Sequence, residues 1–243
     1  MKHKIYIIGM GPGNEMQMTG QAVQILEESE VIIGYSVYLK LLGERFQEKE
    51  FLSTPMKKEI ERCRMTFEQA MEGKKTALIC SGDAGIYGLA SLMYELLPEY
   101  PECEIEVVPG VTAAISGAAV LGAPLNHDFC VISLSDLLTP WEQIETRLSS
   151  AIKGDFVIVL YNPSSRKRKE YLKKACDIML RDAEEERACG YVENIGREGT
   201  KTTVCTLREL REKEVNMFTT VFIGNSQSRI INGKLVTKRG YQI

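Results

Sequence analysis

The chain has 243 residues with 44% hydrophobic and 26% charged side chains and only 8 Pro and 20 Gly, which excludes a disordered or fibrous protein and allows one large or two medium domains with a real core. Thirty Lys/Arg against 33 Asp/Glu leave a net charge of -3, which argues against a protein built to coat nucleic acid. Residues 1–110 hold 11 basic and 17 acidic side chains and the remainder 19 and 16, so an anionic partner is expected on the second half.

Short apolar runs alternate with helical patterns, the signature of an α/β architecture. Ile5 to Gly9 reads as a strand, followed by a Gly-Pro-Gly turn, a helix from Thr19 to Ser29 and a second strand at Val31-Ile32-Ile33. A helix over Lys57 to Glu72 places Ile60, Cys63, Phe67, Ala70 and Met71 on one face, and Gly73 ends it. The strand Thr76 to Cys80, a glycine-bearing loop, a helix from Ile86 to Leu97, the strand Ile105 to Val108 and a small-residue helix from Thr112 to Leu121 complete a first half. Gly122-Ala123-Pro124 then marks a boundary, which predicts domains over 1–122 and 123–243 with a ligand cleft between them. In the second half strands are expected at Cys130–Ser133, Phe156–Tyr161, Ala188–Val192, Lys201–Thr206 and Thr219–Ile223, with helices at Trp141–Ile152, Arg168–Arg181 and Leu207–Glu214. Asn232-Gly233 predicts a tight hairpin near the end.

Seven cysteines, none within ten residues of another, and only two histidines, His3 and His127, leave little material for a zinc knuckle, a metal site or a Ser-His-Asp triad. The cysteines read as core filler in a reducing compartment, and no resident metal is expected. The apolar stretch after Met1-Lys2-His3-Lys4 is too short for a signal segment or a membrane span. A cytoplasmic address and no membrane partner are therefore expected.

Three loops carry the candidate chemistry. Gly9-Met10-Gly11-Pro12-Gly13 follows a strand, so its backbone can approach a ligand closely. It is not the dinucleotide fingerprint, because Asn14 stands where a glycine is needed and the second strand ends in Gly34-Tyr35 rather than an acid. NAD and the common Rossmann methyltransferase are disfavoured accordingly. In Cys80-Ser81-Gly82-Asp83-Ala84-Gly85-Ile86-Tyr87-Gly88 two glycines bracket a carboxylate. Asp83 could meet a ribose or a cationic ligand, or Asp83 and Ser81 could simply cap the next helix. Val108-Pro109-Gly110-Val111-Thr112-Ala113 is a third strand-to-helix turn, with Thr112 open to the same capping role. Strand ends of an open α/β sheet share one edge, so the three loops are expected to converge on one ligand.

These three motifs, in this order and spacing, resemble the tetrapyrrole methylases, and the likeness spans essentially the whole chain. Gly34-Tyr35-Ser36-Val37-Tyr38, Leu121 to Phe129, Ile132 to Trp141 and Tyr161-Asn162-Pro163-Ser164-Ser165 resemble its ring-contracting branch, which methylates precorrin-3B or its cobalt counterpart at C-17 in cobalamin synthesis. The resemblance implies two α/β domains, S-adenosylmethionine as methyl donor with S-adenosylhomocysteine as product, a precorrin tetrapyrrole as substrate, cobalt only as part of that substrate, and a homodimer. It implies donor contacts from Pro12, Gly82, Asp83, Ile86, Tyr87, Thr112 and Ala113 in the first half and from Leu160, Tyr161, Asn162 and Asn194 in the second.

Methyl transfer from a sulfonium needs positioning and a dry site more than an activated nucleophile. Ring contraction also needs proton transfers, for which Asp83, Tyr35, His127, Ser133 and Asp136 are the candidates. His127 could instead pair within its loop, and Ser133 and Asp136 could serve only the start of the next helix. Lys57 and Arg166 are candidates for the substrate's carboxylate arms, although the run Arg166-Lys167-Arg168-Lys169 reads equally as a solvated helix face. A related methylase acting on another precorrin position or on RNA, and a non-catalytic nucleotide-binding module, remain the competing readings.

Overall fold

A computed structural model describes residues 2–165 and 167–242. The chain divides into two compact units, Met1–Ala113 and Ala114–Ile243.

The first unit is a parallel sheet with helices on both faces. In chain order it runs β1 (His3–Gly9), α1 (Gly20–Glu28), β2 (Val31–Tyr35), α2 (Ser36–Leu39), β3 (Glu50–Thr54), α3 (Glu59–Met71), β4 (Thr76–Cys80), α4 (Ala90–Leu96) and β5 (Cys103–Val108). The strand order is β3-β2-β4-β1-β5, and every neighbouring pair is parallel. Alternation along β1 explains the layering. Ile5 and Ile7 pack with Phe67 and Met93 on one face, whereas Ile8 packs with Leu26 and Phe46 on the other. Central β4 is buried at every residue and edge strand β3 at one of five, as expected for a strand covered on both sides against one covered on a single side. Thr19 caps α1 by accepting from the Ala22 amide. Gly73, at φ 87°, turns the chain out of α3. The register pairs Gly9 with Cys80 and Ile8 with Val108, so the carboxyl ends of the strands lie along one edge.

The second unit holds α5 (Ala113–Leu121), β6 (Gly122–Ala123), β7 (Phe129–Ser133), α6 (Trp141–Lys153), β8 (Val157–Tyr161), α7 (Tyr171–Met179), β9 (Ala188–Glu193), β10 (Lys201–Thr206), α8 (Leu207–Arg211), β11 (Thr219–Ile223), β12 (Ser228–Ile231) and β13 (Lys234–Thr237). Its five-stranded sheet, ordered β10-β9-β11-β8-β7, is mixed: β7 and β8 are parallel and the other pairs antiparallel. Helices α6, α7 and α8 bury Ile144, Leu148, Leu172, Cys176 and Leu210 against it. The expected Asn-Gly hairpin joins β12 to β13, with Asn232 at φ 49° and Gly233 at φ 73°.

The division falls nine residues ahead of the Gly122 turn. Helix α5 explains the difference, because a side chain at Gly117 would meet the Phe222 ring at 2.9 Å, so this helix is closely packed on β11 of the second unit. Six of the seven thiols are buried and all are free. Burial pushes Cys63 up to about 12 and Cys80 up to about 11, so these thiols stay protonated and inert at neutral pH. No helix among the described residues is long and apolar enough to cross a membrane.

Candidate functional site

The three glycine-bearing loops of the first unit meet at the carboxyl edge of its sheet. Gly11 and Gly82 form a two-way bridge, with Gly11 N donating to Gly82 O at 3.1 Å and Gly82 N donating to Gly11 O at 2.7 Å. Both have positive φ, 74° and 70°, a conformation that glycine adopts without strain. A side chain on Gly110 would lie 2.2 Å from Gly82 O and 2.5 Å from the Gly9 carbonyl carbon. The third loop is therefore in backbone contact with the other two.

Asp83 fixes this arrangement. Its Oδ1 accepts from Gly85 N at 2.8 Å and its Oδ2 from Gly110 N at 2.9 Å. A carboxylate bonded to amides of its own loop and of a loop 27 residues away acts as a staple, with each charge-assisted bond contributing about 1.5–3 kcal/mol. The capping alternative fails, because α4 begins only at Ala90, with Leu89 as its cap residue and no side-chain bond there. The helix predicted from Ile86 starts four residues late. Tyr87 sits at φ 55°, and a side chain on Gly88 would lie 2.3 Å from Ala84 O, so 85–89 curls as a loop. Ile86 and Tyr87 are left 38% and 55% exposed, apolar surface on the rim of the loop. Pro12 and Thr112 are buried and Ala113 is half-buried beside it. Tyr35 ends β2 with its ring edge-on to Tyr38 at 5.3 Å, and Lys57 is exposed in the turn before α3, at φ 67°.

In the second unit a polar network occupies the carboxyl ends of β7 and β8. Ser133 Oγ accepts from Asn162 Nδ2 at 2.9 Å and from Ser135 N at 3.2 Å. Both bonds bring protons to the oxygen, leaving its own O–H to donate elsewhere. Asp136 accepts from Tyr171 OH at 2.6 Å and from Arg168 at 3.2 Å, and Arg168 also donates to Ser135 Oγ at 2.8 Å. The tyrosine bond, aided by Arg168, holds the Asp136 carboxyl below the usual range. The same bond raises the Tyr171 phenol. Asp136 is thus a carboxylate at neutral pH, suited to orienting Arg168 and Tyr171 rather than to donating a proton. Neither Ser133 nor Asp136 caps α6, whose cap residue is Pro140.

Tyr161 OH accepts from Ala114 N at 2.7 Å. Asn162 and Asn194 directly follow β8 and β9 at φ 54° and 53°, left-handed turns that asparagine tolerates. Leu160 is fully buried in the core of its unit, so only its backbone is available to a ligand. His127 stands apart from the network, with Nε2 donating to the Lys238 carbonyl at 2.8 Å, and ties its loop to the chain after β13. Arg166 lies outside the described residues.

The solvated-face reading of the basic run fails at Arg168, whose side chain is only 18% exposed and bound to Ser135 and Asp136. Arg168 and Tyr171 are the polar residues that sequence reasoning missed. Arg168 precedes α7, which begins at Tyr171, and the partners of both lie 32 to 35 residues away, so no local pattern marked them. Among the described residues no group of three His, Cys, Asp or Glu side chains is arranged to hold a metal ion.

The family model of Tetrapyrrole (Corrin/Porphyrin) Methylases matches residues 4–211. The chain is similar to a protein of Salmonella typhimurium named "probable cobalt-factor III C(17)-methyltransferase", with 42% identity over 98% of this chain and 99% of that one. It is 33% identical to a precorrin-3B C(17)-methyltransferase of Sinorhizobium sp, over 95% of this chain and 92% of that one. Among solved structures, the methyltransferase CobJ superposes with a TM-score of 0.89 at 33% identity, covering 96% of this chain and 99% of that one.

Proposed function

Because the chain belongs to the tetrapyrrole methylase family, we propose that it transfers the methyl group of S-adenosylmethionine to C-17 of a cobalt-bearing tetrapyrrole of the cobalt-factor III class and contracts the macrocycle, in cobalamin synthesis. The observation that carries the reading is the meeting of three backbone loops around Gly11, Asp83 and Gly110 at one sheet edge. Such an edge is where open α/β sheets bind ligands. Four relatives named for cobalt-factor III are 37 to 43% identical to this chain, against 33% for a relative named for precorrin-3B, which favours the cobalt-bearing substrate.

The residues fit the donor. Gly11, Gly82 and Gly110 bring bare backbone to one place, Asp83 keeps that backbone fixed, and exposed Ile86 and Tyr87 offer apolar surface to a nucleoside. Pro12, Thr112 and Ala113 complete this set, and the family resemblance adds Tyr161, Asn162, Asn194 and the Leu160 backbone. When bound, S-adenosylmethionine supplies an electrophilic methyl group, so the protein's task is to hold an electron-rich carbon in line with it and exclude water. Asp83 serves that task by positioning, since both its oxygens are engaged.

Ring contraction requires proton movement at substrate oxygens. Ser133 has a hydroxyl proton to give, Asn162 and Ser135 fix its oxygen, and Asp136 orients the Arg168–Tyr171 pair beside it. Tyr35 offers a second hydroxyl. The same reading carries the expectation of a cytoplasmic homodimer, which sedimentation would reveal as twice the 27.3 kDa chain mass. Mass spectrometry of the product from cobalt-bearing and metal-free trimethylated precursors, each offered with S-adenosylmethionine, tests the function. A gain of one methyl group on the cobalt-bearing precursor with release of S-adenosylhomocysteine supports it. Turnover of the metal-free precursor alone, or of neither, overturns it.

A further inference from the structure

Arg62, in the first turn of α3, is only 5% exposed, yet no carboxylate among the described residues pairs with it. Its Nη2 donates to the carbonyls of Thr54 at 3.3 Å and Pro55 at 3.1 Å. Among the described residues its Nε is buried with no hydrogen-bond partner, and its side-chain bonds both come from Nη2, none from Nη1. The guanidinium carbon lies over the Tyr35 ring, 5.8 Å from its centre. Two carbonyls and an aromatic face satisfy part of a buried cation, whose desolvation ordinarily demands an anion and whose fork is shaped for a carboxylate.

Position gives that anion a chemical class. Thr54 ends β3 and Tyr35 ends β2, so Arg62 reaches the carboxyl edge of the sheet. The order β3-β2-β4-β1 puts the Arg62 cluster, which spans the ends of β3 and β2, about 5 to 10 Å from the Asp83 loop's strand and about 10 to 15 Å from that of Gly9 to Gly13, by the ordinary strand spacing. A ligand alkylated beside those loops would have its periphery within reach of this guanidinium. The turn joining β3 to α3 is held to the same place, with Thr54 Oγ1 donating to Lys58 O at 3.2 Å and Lys57 in a left-handed conformation at φ 67°.

We propose that Arg62 is a substrate-binding residue whose free guanidinium edge pairs with one carboxylate arm of the tetrapyrrole, with Tyr35 stacked beside the pair, and that this contact sets the orientation of the macrocycle. The inference rests on the proposed tetrapyrrole substrate. It differs from a purely structural role for Arg62, in which the two carbonyl bonds would be its whole purpose.

The test is a thermodynamic cycle. Cobalt-factor III and a set of its single-arm methyl esters are titrated into the wild-type protein and into Arg62→Gln, with S-adenosylmethionine affinity measured alongside. The expected result is a loss of about 30-fold in affinity for the full acid in Arg62→Gln, donor affinity within about twofold of wild type, and one ester whose penalty in the wild type disappears in the variant. Arg62→Lys, which keeps the charge but not the fork, should fall between the two, and it carries the same cycle if Arg62→Gln does not fold. Equal losses for donor and tetrapyrrole, or an ester penalty unchanged by the substitution, would overturn the assignment and leave the proposed function standing. A wild-type protein that neither binds nor methylates cobalt-factor III would defeat the proposed function, and this inference with it.

Discussion

The two units present their chemistry by different means. At the sheet edge of the first unit the groups on offer are backbone, with glycines at contact distance and one carboxylate spent on two amides. At the ends of β7 and β8 in the second they are side chains, a serine, an asparagine, a carboxylate, an arginine and a tyrosine joined in one network. A ligand of fixed shape is best held by atoms that cannot move, whereas proton handling needs groups whose protonation state is set by their neighbours. Added bulk should therefore cripple the first region, and lost polarity should retune the second.

The largest effect is expected at Gly110. In Gly110→Ala the new carbon would fall 2.2 Å from Gly82 O and 2.5 Å from the Gly9 carbonyl carbon, both backbone, so neither neighbour can rotate away. Loss of about 3 kcal/mol of stability and of measurable donor binding should follow, read by denaturant unfolding and calorimetric titration. Wild-type affinity in this variant would break the contrast between a rigid and an adaptable region. Asp83→Asn comes next. An amide cannot accept through both ends, so either Gly85 N or Gly110 N loses its partner. Gly85 is exposed and Gly110 only part-buried, so the unpaired donor costs about 1.4 kcal/mol, which corresponds to about tenfold in donor affinity. The same titration checks it, and an unchanged affinity would show that Asp83 does not hold the loops.

A smaller and pH-dependent effect is expected from Tyr171→Phe. The tyrosine bond is the main cause of the lowered Asp136 carboxyl, and a carboxyl with a depressed folded pKa contributes stability that is complete above its unfolded pKa, about 4, and is lost as pH falls through the folded value. Removing the phenol moves the folded pKa back up, so the variant should be the less stable above about pH 4 and the two stability curves should meet in acid. A third of the Asp136 side chain faces solvent, so the difference should stay below about 1 kcal/mol. The acid limb of the activity profile should shift to higher pH with it. Curves that stay apart in strong acid would mean that the effect arises from lost packing with Trp141, 4.7 Å away, rather than from the bond.

Much of this was readable in the chain, for reasons that can be named. Thr76–Cys80, Lys201–Thr206 and Thr219–Ile223 form strands over the residues expected, because apolar or alternating runs bounded by turn residues carry their own signal. Edge strand β3 was missed, since Glu50-Phe51-Leu52-Ser53-Thr54 is largely exposed and shows no core-facing alternation. The family motifs pointed to Asp83, but not to its staple, because Gly110 is distant in sequence and only tertiary structure pairs them. Arg168 was hidden for a similar reason. Within a basic run its contacts with Ser135 and Asp136 leave no local trace.

The smallest effect separates contact from residue type. Gly20 opens α1, and a side chain there would meet nothing within 4 Å. Alanine at such a helical site restricts the unfolded chain more than it disturbs the folded one, so Gly20→Ala should raise stability by about 0.5 kcal/mol and leave donor affinity unchanged. The same chemical change would then have opposite signs at Gly20 and Gly110 within one unit, and the difference would belong to the loops' backbone contact rather than to glycine itself. Equal destabilisation at both positions would remove that distinction, and with it the account of the first unit as a holder made of backbone.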